Sequence, residues 1–370
     1  LEARLATTAF DWFFGIANLR IVPRAIWSRA ARGAANFHDG PLPRYAGLNA
    51  PAWAILRGEP RHGIAWHAVT DGIDEGDVYV QREIDIAPDE TALTLNTKCF
   101  EAAIESFGEL LDGIERGALA PKKQDFSQRT YFAKSQRPEA AATLRFDRPA
   151  SSLDALVRGL DFGPGYANPL LLPKLQTEVG LFGVTRTSVE EAAIAAPGTV
   201  LEVGGTGALV ATARGALRLH RLVRLGGTEV AATEILEPGT RLPIPSEAQS
   251  QALTELTTRV APAEDWFARR LAQARPADLP EVQTAPGGSS ARMRSVALPE
   301  ALAGDAGIAA IGAFLSRATG QDVLDLAYCD DALDAAIGQA PGYFARRVPL
   351  RVDASGDASI RALRERVGTE

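Results

Sequence analysis

Cysteine and methionine are almost missing from this chain: its 370 residues hold two cysteines, Cys99 and Cys329, and one methionine, Met293. Two thiols so far apart exclude a disulfide framework and a thiolate zinc site, both of which need several cysteines at short spacing. Long apolar runs are lacking as well. None approaches the roughly 18 residues that cross a bilayer, which excludes a membrane-spanning protein. Positive charge is in deficit, with 39 Lys and Arg against 46 Asp and Glu and a net charge of −7. That balance works against the phosphate attraction that dominates nucleic-acid binding. No signal-peptide pattern opens the chain, which begins at Leu1. The expectation is a cytoplasmic protein cut from something longer.

What is present is ordinary globular composition, 46% hydrophobic and 23% charged residues, at a length that predicts two or three domains. The segment AFDWFFGIANLRIVP and the small-residue run entering Asn36 read as buried strands, with RAIWSRAARG between them as a short helix or turn. APAWAILRGE predicts a helix stopped at Gly58, and HGIAWHAVTDGIDEGDVYVQREIDI two strands around a Gly- and Asp-rich loop. From Thr91 to Gly117, Leu95, Cys99, Ala103, Ile104, Phe107, Leu110, Leu111 and Ile114 recur at helical spacing. Short runs follow (TVLEV, GALVATA, ALRLHRLVRL), which predict a small antiparallel barrel or sandwich, with the GGTG at 204–207 as a hairpin turn and no phosphate loop. Residues 237–262 read as a Pro-rich linker, and TAPGGSSAR as a loop. DAGIAAIGAFLSRATG predicts a helix capped by Asp305 and stopped at Gly320; VPLRV then reads as a strand and SIRALRERV as a closing helix.

One short stretch carries chemistry, NFHDGPLP at 36–43. In an extended segment residues i and i+2 share a face, so Asn36 and His38 project together while Phe37 turns to the core. Gly40 lets backbone approach a ligand, and Pro41 and Pro43 stiffen the loop. Downstream, DGIDEGD offers Asp71, Asp74 and Asp77, any of which suits hydrogen bonding to the His38 ring. Asn, His and Asp together fit acyl transfer to an amine with no covalent intermediate: a carboxamide N–H for the oxyanion and an imidazole for the amine proton. The same Asn and His fit a structural turn equally well. Cys99, on the apolar face of a helix, reads as core and not as a nucleophile. His62 and His67, five apart, fall on opposite faces of a strand and do not make a metal site, and His220 reads as a strand residue facing solvent.

These residues resemble the 10-formyltetrahydrofolate-dependent formyltransferases. The match runs through NFHDGPLPRYAGLNAPAWAI, HGIAWHAVTDGIDEGDVYVQREIDI, LDFGPGYANPLLLPKL and APGTVLEV, over roughly residues 8 to 226. The family's Asn-x-His and G-h-D-x-G-D motifs fall on Asn36, His38 and Asp74, which the resemblance makes catalytic. It further implies 10-formyltetrahydrofolate as co-substrate, no metal, and folate contacts from Gly40, Pro41, Leu42 and Pro43 in one loop and Asp71, Gly72 and Ile73 in the other. The implied fold is α/β: an incomplete Rossmann-like formyltransferase domain over residues 1–135, its first βα units missing, then a small OB-like β-barrel domain over 140–236. Beyond the 237–262 linker, residues 263–370 are similar to part of an α+β condensation-like domain, without that domain's paired-histidine signature.

FHDGPLPRYAGLNAPAWA and LNTKCFEAAIESF look most like the formylation domains that open nonribosomal peptide synthetases. The expected acceptor is therefore an aminoacyl thioester on a carrier protein domain, with an adenylation domain as neighbour and neither nucleic acid nor membrane as partner. Methionyl-tRNA, an amino sugar and a hydroxyornithine precursor are the alternative acceptors. A noncatalytic docking module is the alternative of another class.

Overall fold

The computed structural model describes residues 8–18, 20–191, 195–279, 299–338, 340–356 and 359–370. The chain forms two compact units, Leu1–Ala261 and Pro262–Glu370.

The first unit begins with strand β1 (Trp12–Gly15), a one-turn helix α1 (Arg24–Trp27) and strand β2 (Gly33–His38). β1 and β2 run parallel, with Gly15 opposite Asn36. Next come β3 (Ala46–Gly47), helix α2 (Ala50–Leu56), β4 (Arg61–Ala68) and β5 (Val78–Asp85). The sheet order is β1-β2-β4-β5, and β4 is antiparallel to both of its neighbours. Helix α3 (Ala92–Glu115) starts at Thr91, whose hydroxyl accepts from Thr94 N–H while Thr94 returns the bond to Thr91 N–H. Leu95, Cys99, Ala103, Leu110 and Ile114 make its buried stripe. Cys99, Ala103, Leu110 and Ile114 share a core with Ala35, Phe37, Ile64 and Trp66 of the sheet. Ile104, expected in that stripe, is 77% exposed; one residue past Ala103 it is turned about 100° off the buried face.

A parallel bridge joins β6 (Tyr131–Phe132) to β3. The Phe132 ring lies between Trp53 and Tyr45, with centroids 4.9 and 5.4 Å away. Helix α4 (Ala150–Gly159) then precedes the second sheet, formed by β7 (Lys174–Thr177), β8 (Gly180–Glu190), β9 (Val200–Gly204), β10 (Gly207–Ala211), β11 (Ala216–Arg224) and β12 (Glu229–Val230). Its order is β7-β8-β11-β10-β9 with β12 on β11. Among the described residues no ladder joins β7 to β9, so the expected barrel is an antiparallel sheet unclosed by strand pairing. Its inner face is filled from α4 and from helix α5 (Ala232–Ile235), where Leu153, Val157 and Ala232 meet Leu175, Val184, Leu217 and Leu219. Residues 204–207 are the turn between β9 and β10, as their setting between alternating strands predicts. His220 is exposed, its ring within 2.8 Å of the Ser188 hydroxyl.

The stretch expected as a linker is largely helical. Helix α6 (Glu247–Ala272) takes up its second half. Pro238, Pro243 and Pro245 all precede it, and Ser246 caps it: the Ser246 hydroxyl accepts from Gln249 N–H while Gln249 Oε1 accepts from Ser246 N–H. Ser250, Leu253, Thr257 and Ala261 form its buried face at helical spacing. Four prolines in the segment, three ahead of the cap and Pro262 inside the helix, hide that period.

In the second unit, helix α7 (Asp305–Thr319), β13 (Val323–Tyr328), helix α8 (Asp331–Gly338), β14 (Val348–Asp353) and helix α9 (Ile360–Thr369) follow in order. β13 and β14 are antiparallel, and Ala309, Leu324, Val352, Leu363 and Val367 form the core. Gly304 occupies the N-cap of α7, so Asp305, expected there, is the first helical residue; Gly320 stops the helix in the left-handed region, as expected. The segment TAPGGSSAR lies outside the described residues.

Candidate functional site

Strand β2 ends in the Asn-x-His pair. Phe37 packs into the core against Trp66, ring centroids 5.5 Å apart, and its two neighbours take the opposite face. Antiparallel pairing with β4 sets Asn36 opposite His67 and His38 opposite Ala65. Directly opposed residues share a face, so His67 joins Asn36 and His38. The β4–β5 register shifts between Trp66 and His67, an irregularity of the kind that re-aims side chains beside active sites.

The loop after β4 brings Asp74 to the same place. Its Oδ2 stands 3.5 Å from His38 Nδ1 and its Oδ1 3.4 Å from His67 Nε2, and all three side chains are buried. Oδ2 also accepts from Gly47 N–H at 2.8 Å. Burial pushes the Asp74 carboxyl upward, but the His67 hydrogen bond, the neighbouring His38 and the Gly47 N–H outweigh it and hold the pKa down at about 2. Asp39, 3.7 Å from His38 Nδ1, is raised by burial.

Carbonyl groups only accept, which identifies the protonated nitrogen on each ring. His38 Nε2–H donates to Tyr45 O at 2.8 Å, so Nδ1 faces the two carboxylates. His67 Nδ1–H donates to Ala68 O at 2.9 Å, and His67 Nε2 lies 3.2 Å from Asn36 Nδ2. Neutral His67 accepts a hydrogen bond from Asn36 there; protonated, it donates to Asp74. The result is a contiguous row of side chains, His38, Asp74, His67 and Asn36, in which His67 Nε2 bonds either to Asn36 or to Asp74 according to its protonation.

Some expectations change. Asn36 was expected to hold an amide N–H free for an oxyanion, yet Nδ2 donates to Phe37 O at 3.0 Å as well as meeting His67. Gly40 is required by the protein's own packing: a β-carbon there would stand 2.6 Å from His38 Nε2 and 2.9 Å from Tyr45 O. Leu42 is buried in a small core with Ala46, Ala65 and Val78, because the turn folds its side chain back over the sheet. With Pro43 it also lines a cleft along β5, whereas Pro41 approaches the Gly63 backbone. Asp71 is exposed and paired with Arg24 at 2.5 Å, away from the imidazoles. Gly72 sits beside the Glu75 side chain, and the Ile73 side chain is exposed.

His67 was set aside in the sequence because strand alternation separates it from His62. That separation holds: His62 donates from Nε2 to Asp39 O at 2.8 Å, packs on Tyr45, and has its pKa pushed down to about 4 by burial. The signal that identifies His67 is the pairing partner of Asn36, which a single sequence does not display. Among the described residues no group of three or more His, Cys, Asp or Glu side chains is arranged to hold a metal ion.

Comparison with known proteins agrees with this chemistry. A family profile described as formyl transferase matches residues 2–110, and one described as formyl transferase, C-terminal domain, matches residues 138–238. Methionyl-tRNA formyltransferase of Bordetella avium is 34% identical over 231 residues, 62% of this chain and 72% of that protein. The protein of the same name from Trichlorobacter lovleyi is 30% identical over 226 residues, 61% of this chain and 68% of its own length. Among solved structures, HypX from Aquifex aeolicus in complex with tetrahydrofolic acid aligns at a TM-score of 0.48 and 20% identity, covering 63% of this chain and 39% of that one. With a carboxamide, two imidazoles and a carboxylate gathered at the end of β2, and with relatives of that similarity and coverage, the chain belongs to the formyl transferase family of one-carbon-transfer enzymes.

Proposed function

We propose that this protein moves the formyl group of 10-formyltetrahydrofolate to the primary amine of an aminoacyl acceptor. The observation that carries this reading is the row from His38 through Asp74 and His67 to Asn36. Transfer forms a bond between the amine nitrogen and the formyl carbon and breaks the bond from that carbon to N10 of the folate. The amine gives up a proton and N10 gains one. The imidazoles, bracketing one carboxylate held at a pKa of about 2, supply the proton transfers. Proton uptake at His67 Nε2 converts that atom from an acceptor for Asn36 into a donor to Asp74. One Asn36 N–H is thereby released towards the oxygen of the tetrahedral intermediate, where such a donor contributes about a hundredfold to a thousandfold in rate.

For the acceptor, methionyl-tRNA has the stronger support, since both relatives described above carry that name. The second reading is an aminoacyl thioester on a carrier domain, with residues 263–370 as a condensation-like lead-in. The net charge of −7 favours it, because it weakens attraction to a polyanion. Presenting the full chain and 10-formyltetrahydrofolate with each acceptor in turn, and weighing the amino acid released, tests both. A gain of about 28 Da, one formyl replacing one hydrogen, on the tRNA-borne methionine supports the first reading; a gain only on the carrier-bound residue supports the second. No gain on either overturns both.

A further inference from the structure

We propose that Gln124 is a positioning residue for Asp74: its side-chain amide holds the backbone that aims the carboxylate at His38 and His67. The proposal rests on the formyl-transfer reading above. Gln124 is 50 residues away in sequence, yet its Nε2 donates to Asp74 O at 2.9 Å and to Gly76 O at 2.6 Å. Both hydrogens of one carboxamide nitrogen are thus spent on the backbone of the catalytic loop.

That loop needs holding. Asp74 sits at φ 54°, in the left-handed region that a residue with a β-carbon occupies only where its surroundings compensate. Its carboxylate is fixed at the tip by Gly47 N–H, while the Gln124 amide grips the main chain at the carbonyls of both Asp74 and Gly76. The same segment grips the rest of the site. Arg129 Nη2 donates to Ile73 O at 3.0 Å. The Thr130 hydroxyl accepts from Tyr45 N–H at 2.8 Å, and Thr130 O accepts from Ala46 N–H at 3.0 Å; Tyr45 is the residue whose carbonyl receives His38. The strap is anchored to the sheet where Lys122 and Val78 exchange two backbone hydrogen bonds of 2.8 Å. A stretch that carries no acid, base or nucleophile of the site therefore bonds to both loops that do.

An amide is required at position 124 because both targets are carbonyl oxygens. A carboxylate of the same shape offers no donor, and leucine keeps the bulk with neither donor nor acceptor. The test compares the full-length wild type with Gln124→Glu and Gln124→Leu. The expected result is a fall in kcat of about a hundredfold, the scale of an ångström-level misplacement, with KM for 10-formyltetrahydrofolate held within about twofold, the split expected when transition-state contacts alone are lost. Backbone amide exchange across residues 72–77 rises in both variants while exchange in β4 and α3 is unchanged. Wild-type kcat in either variant, or unchanged exchange in that loop, overturns the assignment. If the wild type itself transfers no formyl group to any acceptor, the functional reading fails, and the exchange data alone decide whether Gln124 holds the loop.

Discussion

Gly40 and His38 are in contact so close that a single methyl would part them: a β-carbon on Gly40 would stand 2.6 Å from His38 Nε2, the atom bonded to Tyr45 O. Gly40→Ala is therefore expected to push the ring off its carbonyl and lower kcat about tenfold to a hundredfold, and to lower the melting temperature as well, because the added carbon also meets the Tyr45 carbonyl. Steady-state kinetics and a thermal melt on the same preparation check it; full turnover in the Gly40→Ala variant would show that the His38–Tyr45 bond is dispensable.

His67 joins Asn36 to Asp74 through one nitrogen. His67→Phe keeps a ring of similar size and removes both nitrogens. The expected outcome is a loss of about tenfold to a thousandfold in kcat, spanning proton transfer and oxyanion stabilisation. The Asp74 carboxyl should climb from about 2 towards its ordinary value, since a principal bond holding it down is gone. A carbon-13 titration of the aspartate carboxyls reads that shift directly.

Asp74 also makes stability depend on pH. Its folded pKa of about 2 lies below the ordinary 3.8. The ionised form is thus favoured in the folded state, and the stabilisation is fully present above pH 3.8 and lost as pH falls through 2. Its size is about 2 kcal/mol. Denaturant unfolding of the wild type and Asp74→Asn between about pH 6 and pH 2 should show two curves that converge at the acid end. A gap that stays constant would disprove the linkage.

Asp71 offers the matching control. It is exposed and, among the described residues, paired with Arg24, so Asp71→Asn should leave kcat within about twofold, as exposed ion pairs contribute little. A large loss would return the catalytic carboxylate to the first acid of the loop.

Much of the site is legible because period-two alternation needs no tertiary knowledge. Phe37 faces the core and Asn36 and His38 face away from it for reasons contained in three consecutive residues. The loop spacing leaves Asp71, Asp74 and Asp77 open, and only the family resemblance singles out Asp74. His67, Tyr45 and Gln124 are not legible, because each acts through register or through a main-chain atom: His67 by standing opposite Asn36, Tyr45 by its carbonyl, Gln124 by reaching carbonyls 48 and 50 residues away. In the fold, the apolar stripe of α3 is readable and that of α6 is masked by three prolines just ahead of its cap and by Pro262 inside it. Barrel closure is likewise a property of strand pairing that short alternating runs do not encode.

The parallel register of β1 on β2 sets Gly15 beside the Asn36 carboxamide, where an added β-carbon would come within 2.5 Å of Oδ1. Position 15 is consequently a mechanical wedge point. On the proposed reaction, Gly15→Ala is expected to turn the amide and lower turnover while every reacting side chain keeps its native identity.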